Sequence, residues 1–216
     1  MRLFRKDDPK PSLVAGPIAE FFGVLVVVFA SAGVVAVQPL LPVASPATVA
    51  LVQGFVLMGA IWAAGTWSGG HVNPLVTIML FVHGMLEKGL ENAAGVKVKG
   101  GGRMVNFEWY YALLWILAQF GGAVAAGALL LAVFGPDSPL GRPEVGIAGL
   151  AFGRAFAFEI VGSFVLFMTI LLAIGYGADH ALWAAVPIGA AKLALVGVGD
   201  FISGASFDWW RHLGPT

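Results

Sequence analysis

The sequence predicts an all-α membrane protein, a helical bundle of five full spans and two shorter re-entrant half-helices related by an inverted internal repeat. Three observations carry this. Only 11% of the 216 residues are Asp, Glu, Lys or Arg, against roughly 25% in soluble domains, so lipid is the solvent for most of the chain. Five uncharged or nearly uncharged runs reach the about 20 residues that cross a hydrocarbon core as helix. Two more apolar runs are too short to cross, and each follows a Gly/Ser cluster at the matching place in its half of the chain.

The five runs are Leu13 to Val37, Ala47 to Trp67, Trp109 to Phe134, Ala155 to Gly175 and Leu182 to Gly199, with Glu20, Glu159 and Lys192 as their only charges. The first follows a charged leader as a signal peptide would. Its apolar stretch is much longer than the roughly 7 to 15 residues of such a peptide, so it reads as a retained helix. The short runs are residues 72 to 86, after Ser68-Gly69-Gly70, and 201 to 216, around Ser203-Gly204-Ala205-Ser206. Irregular backbone at membrane depth survives only inside protein or beside a wet cavity, because unpaired N–H and C=O groups are costly in hydrocarbon. Re-entrant segments therefore predict a pathway or a packed polar interior.

Twelve basic and twelve acidic residues cancel, which leaves no polyanion-binding surface and no nucleic-acid partner. With no cysteine, disulfide frameworks, thiolate metal sites and cysteine nucleophiles are excluded. No pair of histidines has metal-ligand spacing, and no cofactor or metal is expected. Gly197-Val198-Gly199 with Gly204 is a poor phosphate loop, since it follows a membrane helix and not a strand.

Eight basic residues cluster in the leader (Arg2, Arg5, Lys6, Lys10) and after the first short run (Lys88, Lys97, Lys99, Arg103), which places both on the cytoplasmic side of the cell membrane. The expected organisation is a cytoplasmic leader over 1–12, a first repeat over 13–134, an external linker over 135–151 and an incomplete second repeat over 152–216. Gly100-Gly101-Gly102 reads as a flexible cytoplasmic linker, and the loop from Gln38 to Pro46 as external. Gly121, Gly122 and Gly127 with Ala118, Ala125 and Ala126 form a small-residue face for close helix packing. His83, His180 and His212 are placed at the interfaces.

The repeat is visible in the residues. Ala19-Glu20-Phe21-Phe22-Gly23 opens the first span and Phe158-Glu159-Ile160-Val161-Gly162 the fourth, each with a lone glutamate three positions before a glycine. Glu20 precedes Asn73 by 53 positions and Glu159 precedes Asp208 by 49. An odd number of spans per half inverts one half against the other, as in transporters and channels whose half-helix N-termini meet near the midplane. Buried glutamates require partners. Here they are expected to accept N–H groups from the re-entrant loops, a proton relay being the other reading. Lys192 either snorkels or pairs with an acid such as Asp200 or Glu159.

In Ser68-Gly69-Gly70-His71-Val72-Asn73-Pro74-Leu75-Val76-Thr77, Asn73 is a good N-cap and Pro74 suits the first helical position. The half-helix that starts there points its positive dipole end into the bilayer centre, repelling cations but not neutral hydrogen-bonding molecules. His71 is placed in the lining of the cytoplasmic side. This segment resembles the loop signature of the major intrinsic proteins, the aquaporins and glycerol facilitators. Ala19-Glu20-Phe21-Phe22-Gly23 and Ala118-Gln119-Phe120-Gly121-Gly122-Ala123 support the resemblance, which runs in order along nearly the whole chain. It implies an aquaporin-like right-handed bundle of six spans and two half-helices, usually a homotetramer.

Two departures from the family pattern stand out. The second motif reads Ser203-Gly204-Ala205-Ser206-Phe207-Asp208-Trp209-Trp210-Arg211, with Asp208, Trp209 and Trp210 where the family has Asn, Pro and Ala. A carboxylate caps a helix but cannot donate as an amide does, and the indoles either rearrange the pore centre or block it. The family's selectivity filter falls, by this resemblance, on Gln53, Val196, Ala205 and Arg211, a set matching neither the water nor the glycerol pattern; Gln53 could equally be a helix–helix hydrogen bond. The other departure is that no sequence for a sixth span follows Thr216. A shortened record is the simpler reading, and the other is a bundle wall supplied by a neighbouring subunit. The expected function is passive passage of water or small uncharged solutes such as glycerol, without enzymatic chemistry. The alternatives are a non-conducting structural or regulatory relative plugged by the tryptophans, and a proton-coupled carrier using Glu20, Glu159 and Lys192.

Overall fold

The computed structural model describes residues 10–38, 45–94, 107–138, 140–147, 149, 151–176 and 181–216. The leader residues Arg2, Arg5 and Lys6, most of the Gln38 to Pro46 loop, the linker with Lys97, Lys99, Gly100 to Gly102 and Arg103, and His180 lie outside them. The described residues form seven helices: α1 (Ala15–Val37), α2 (Pro46–Ala64), α3 (Pro74–Ala94), α4 (Trp109–Phe134), α5 (Phe152–Tyr176), α6 (Ala181–Ser203) and α7 (Trp209–Leu213). Five of them, all but α3 and α7, are long and apolar enough to cross a membrane.

Their starts follow from local chemistry. The Ser12 hydroxyl accepts from the N–H groups of Val14 and Ala15 ahead of α1. Ser45 caps α2 through the Thr48 N–H, with Pro46 in the first turn. Asn73 accepts from Leu75 N–H at 2.8 Å before α3, and Asp208 accepts from Trp210 N–H at 2.9 Å before α7. Side-chain oxygens thus satisfy amides that have no partner within their own helix.

The spans shift by up to four residues at their ends, and the two short segments differ most from the sequence expectation. The first short helix does not stop near residue 86 but continues to Ala94. Past Leu86 the helix formers Glu87 and Lys88 carry it onward, and His83 Nε2 lies 3.3 Å from Glu87 one turn away. The apolar run marked the depth of burial and not the helix length. In the second half α6 continues to Ser203, and the re-entrant helix is only the five residues of α7. Most of residues 201 to 216 is thus loop or the end of α6.

In lipid, where helices gain nothing by hiding apolar surface from water, close backbone approach and polar contacts hold the bundle. Glycines make that approach possible. α2 and α6 meet across Gly54 and Gly189, where a Cβ on Gly54 would lie 2.9 Å from the Gly189 carbonyl oxygen and one on Gly189 2.8 Å from that of Gly54. The same separation, 135 positions, relates Ser68 to Ser203, His71 to Ser206, Val72 to Phe207 and Asn73 to Asp208. The glycine pair therefore lies on the pseudo-two-fold relation between the halves. α1 packs on α4, where the Phe21 carbonyl lies against Gly122 and the Trp115 ring against Gly16.

The two glutamates brace the connecting loops in the same way. Glu20 is fully buried and accepts from Ser68 Oγ, from His71 N–H at 2.9 Å, from Val72 N–H at 2.7 Å and from Gln119 Nε2 at 2.7 Å. Glu159 accepts from Ser203 Oγ, from Ser206 N–H at 3.0 Å and from Phe207 N–H at 2.8 Å. Gly23, one turn beyond Glu20, gives room for Val72, and Gly162 does so for the Phe207 ring. That explains the Glu-to-Gly spacing of three in both spans. Matched strain accompanies the matched bonds: Val72 has φ 41° and Phe207 φ 50°, a left-handed region that costs a β-branched or bulky residue of order 1–3 kcal/mol.

Two outcomes follow for stability. Gly122→Ala places a methyl group 2.2 Å from a carbonyl oxygen, whereas Gly121→Ala meets only the edge of the Phe21 ring at 3.3 Å. Thermal unfolding in detergent, followed by helical circular dichroism, should show the first destabilised by about 1–3 kcal/mol and the second nearly unchanged. Glu20→Gln replaces one of two accepting oxygens by an NH2 that faces donors. Loss of one charge-assisted bond, with a donor left buried, should cost about 3 kcal/mol in the same measurement.

Candidate functional site

The braced loops bring the starts of α3 and α7 together inside the bundle. Asn73 Nδ2 donates to the Phe207 carbonyl at 2.8 Å, so the cap of one re-entrant helix is bonded to the loop that leads into the other. Asp208, its counterpart, cannot return such a bond to the first loop as an ionised carboxylate. Both caps line one cavity of about 20 Å³, walled by Val27, Leu57, Val72, Leu166 and Phe207 and faced by Gln53, Lys192, Ser206 and Arg211. That is room for about a single water.

Lys192, from α6, is 7% exposed. Its ammonium donates to the carbonyl oxygens of Ala205, at 2.9 Å, and Ser206, and lies 4.9 Å from the centre of the Phe207 ring. It neither snorkels nor bonds to Asp200 or Glu159. The Asp208 carboxyl lines the same cavity. A buried ammonium costs several kcal/mol in lost hydration, and two carbonyls, a ring face and a neighbouring carboxylate offset that cost.

Arg211 is also buried, its Nη2 donating to the Ser31 carbonyl at 3.1 Å. Its Nε and Nη1, and both amide atoms of Gln53, have no hydrogen-bond partner within the protein. The expected constriction thus divides. Gln53 and Arg211 face the cavity, Val196 is fully buried outside its lining, and Ala205 contributes a carbonyl to Lys192. His71 is buried with Nδ1 3.2 Å from Thr77 Oγ1, its ring 5.0 Å from that of Phe107, and its Nε2 has no partner in the protein. Pro74 opens α3, and Leu75 lies not in the cavity but in a groove beside α5.

Neither tryptophan reaches the cavity. Trp209 is 54% exposed and lines the groove beside α5. Trp210 points toward α4, with Nε1 3.3 Å from Gln119 Oε1 and its ring 5.4 Å from that of Phe120. The helical turn that starts after Asp208 turns both indoles away, and the ammonium among the groups that line the cavity is that of Lys192. Sequence reasoning offered Lys192 an acid partner or a place in a carrier, and did not reach its carbonyl acceptors. A usable signal was its counterpart at the repeat spacing, Leu57, which lines the same cavity.

Several known proteins similar to this chain carry the name aquaporin. The chain is 29% identical over 203 residues to "Probable aquaporin NIP-type" of Nicotiana alata, covering 92% of this chain and 65% of that one. It is 29% identical over 234 residues to aquaporin AqpM of Methanothermobacter marburgensis, covering 94% and 83% respectively. The chain therefore spans less than two thirds of the Nicotiana protein's length. In three dimensions it matches the X-ray structure of the aquaglyceroporin from Plasmodium falciparum with a TM-score of 0.75 at 18% identity, over 94% of this chain and 80% of that one, which is a likeness of fold. The family model for the major intrinsic proteins matches residues 10–90 and 103–216. The order of helices, the two glutamate-braced loops and this match together place the chain in one group: it belongs to the major intrinsic protein family.

Proposed function

We propose that the protein is a passive transmembrane channel for water or small uncharged solutes, performing no covalent chemistry. The observation that carries this reading is the meeting of two helix starts, at Asn73 and Asp208, on one small cavity inside the bundle lined by both polar and apolar side chains. Gln53, with both amide atoms unpartnered, and the free N–H groups of Arg211 face the cavity and offer a permeant hydrogen bonds in place of those it gives up on leaving water. The fixed charge of Arg211 and the dipole of α3 oppose cations.

The setting proposed with it is the cell membrane, with the N-terminus cytoplasmic on the strength of the basic leader and the basic stretch after α3. Large apolar side chains on α1, α2 and α5, among them Phe22, Trp62, Phe156 and Phe164, are exposed and available to lipid or to neighbouring subunits of a homotetramer. The scaffold role of Glu20 and Glu159 is favoured over a proton relay, because each accepts loop amides at matched positions. The narrowness of the cavity favours a second reading, a member that does not conduct.

Stopped-flow light scattering on proteoliposomes separates these readings. The channel requires water or glycerol flux above that of protein-free vesicles and indifferent to a pH gradient. A rate equal to empty vesicles supports the non-conducting reading, and flux driven by a pH gradient would replace both with a carrier. Arg211→Val should preserve water flux while raising proton leak severalfold in vesicles loaded with a pH-sensitive dye under a potassium diffusion potential. Leak equal to the parent's would remove Arg211 as the charge barrier.

A further inference from the structure

We propose that Lys192 is the residue that sets what passes, a tethered cation seated on the carbonyls that a permeant would otherwise use. This rests on the channel reading above and adds a determinant to it. The ammonium takes the carbonyl oxygens of Ala205 and Ser206 at once, and those carbonyls belong to the loop that Glu159 holds by its N–H groups. With the Ser206 and Phe207 amides turned to Glu159, the carbonyls of Ala205 and Ser206 are left for other donors, and Lys192 takes both.

The repeat gives the control within the same molecule. Leu57, at the position equivalent to Lys192, faces the same cavity and donates no hydrogen bond, so the first loop has no tethered donor from that position. The halves are matched in their glutamates, their serines and the positive φ of Val72 and Phe207. Among the pairs whose members both line the cavity, two exchange an uncharged side chain for an ionisable one, Leu57 against Lys192 and Asn73 against Asp208. One difference puts a carboxyl where the first half has an amide and the other an amine where it has a leucine, and both side chains line the same cavity. What remains beside them holds about one water. A polyol has no room, and a solute must displace the ammonium from its carbonyls.

The chain has no cysteine, so Lys192→Cys carries a unique thiol. In stopped-flow assays this variant should pass water roughly tenfold faster than the parent, equivalent to a barrier about 1.4 kcal/mol lower, and should admit glycerol. An aminoethyl methanethiosulfonate adduct rebuilds a tethered ammonium through a disulfide, releasing methanesulfinate, and should return the flux toward the parent's. Dithiothreitol should reverse this, and a methyl adduct should reduce flux much less. Where the cysteine variant fails to fold or the thiol is not modified, Lys192→Leu, the first repeat's own residue, should give the fast phenotype and Lys192→Arg the slow one.

Variant flux equal to the parent's, or equal inhibition by charged and neutral adducts, overturns the proposal. If the parent conducts and Lys192→Cys and Lys192→Leu do not exceed it, the channel reading stands and the role of Lys192 falls. If the parent and the Lys192 variants match empty vesicles while the triple variant Asp208→Asn, Trp209→Pro, Trp210→Ala conducts, the barrier lies elsewhere and the role of Lys192 again falls. If none conducts, the channel reading fails and takes the proposal with it.

Discussion

A carboxylate buried in a helix and turned toward a loop without ladder partners is the interaction on which the rest of this structure depends. Backbone in the interior of a membrane bundle must find partners for its amides, and the segments before α3 and α7 have no neighbouring strand or helical turn to supply them. Glu20 and Glu159 supply them from the side. Each takes two consecutive amides and a serine hydroxyl. The charge that would be costly alone is held by those donors, and the strain at Val72 and Phe207 persists because the surrounding bonds over-determine the loop. With its amides committed to the scaffold, the loop has only carbonyls left to present on its other edge.

From this one constraint the site follows. The loops end where the helices begin, so the caps Asn73 and Asp208 come to the same cavity, and the Asn73 amide ties the loops together through the Phe207 carbonyl. The second loop's carbonyl edge is where this chain departs from its own first half. Asp208 puts a carboxyl where the first half has an amide, and Lys192, from α6, lines the same cavity while donating to the carbonyls of Ala205 and Ser206. The result is an interior with matched scaffolds and unmatched chemistry.

Much of this was legible in the residues, for reasons that are local. Glu20 and Glu159 stood out because an ionisable group in an apolar run has to have a partner, and their nearly equal distances from the Gly/Ser clusters, 48 and 44 positions, named the partner. Asn73-Pro74 gave the start of α3, since capping depends on two adjacent residues. The five spans could be read from length and apolarity alone. The end of α3 could not, because helix propensity carries the backbone beyond the apolar run to Ala94. Nor could the tryptophans be placed, since their direction depends on which face of a single helical turn meets α4. The role of Lys192 was hidden because its acceptors are backbone carbonyls 13 and 14 positions away, and carbonyls leave no mark in a sequence. Only the comparison with Leu57 points to it, and that comparison needs the register of the repeat that the loop geometry supplies.

The central claim is that carboxylates, and not water, satisfy the amides of the two irregular loops. Residue-resolved amide hydrogen exchange on the intact protein in lipid nanodiscs tests it most directly, at His71, Val72, Ser206 and Phe207. Exchange as slow as that of neighbouring helical amides in α1 and α4 is the predicted result. Exchange at all four positions as fast as in an open, water-bonded loop would contradict the account.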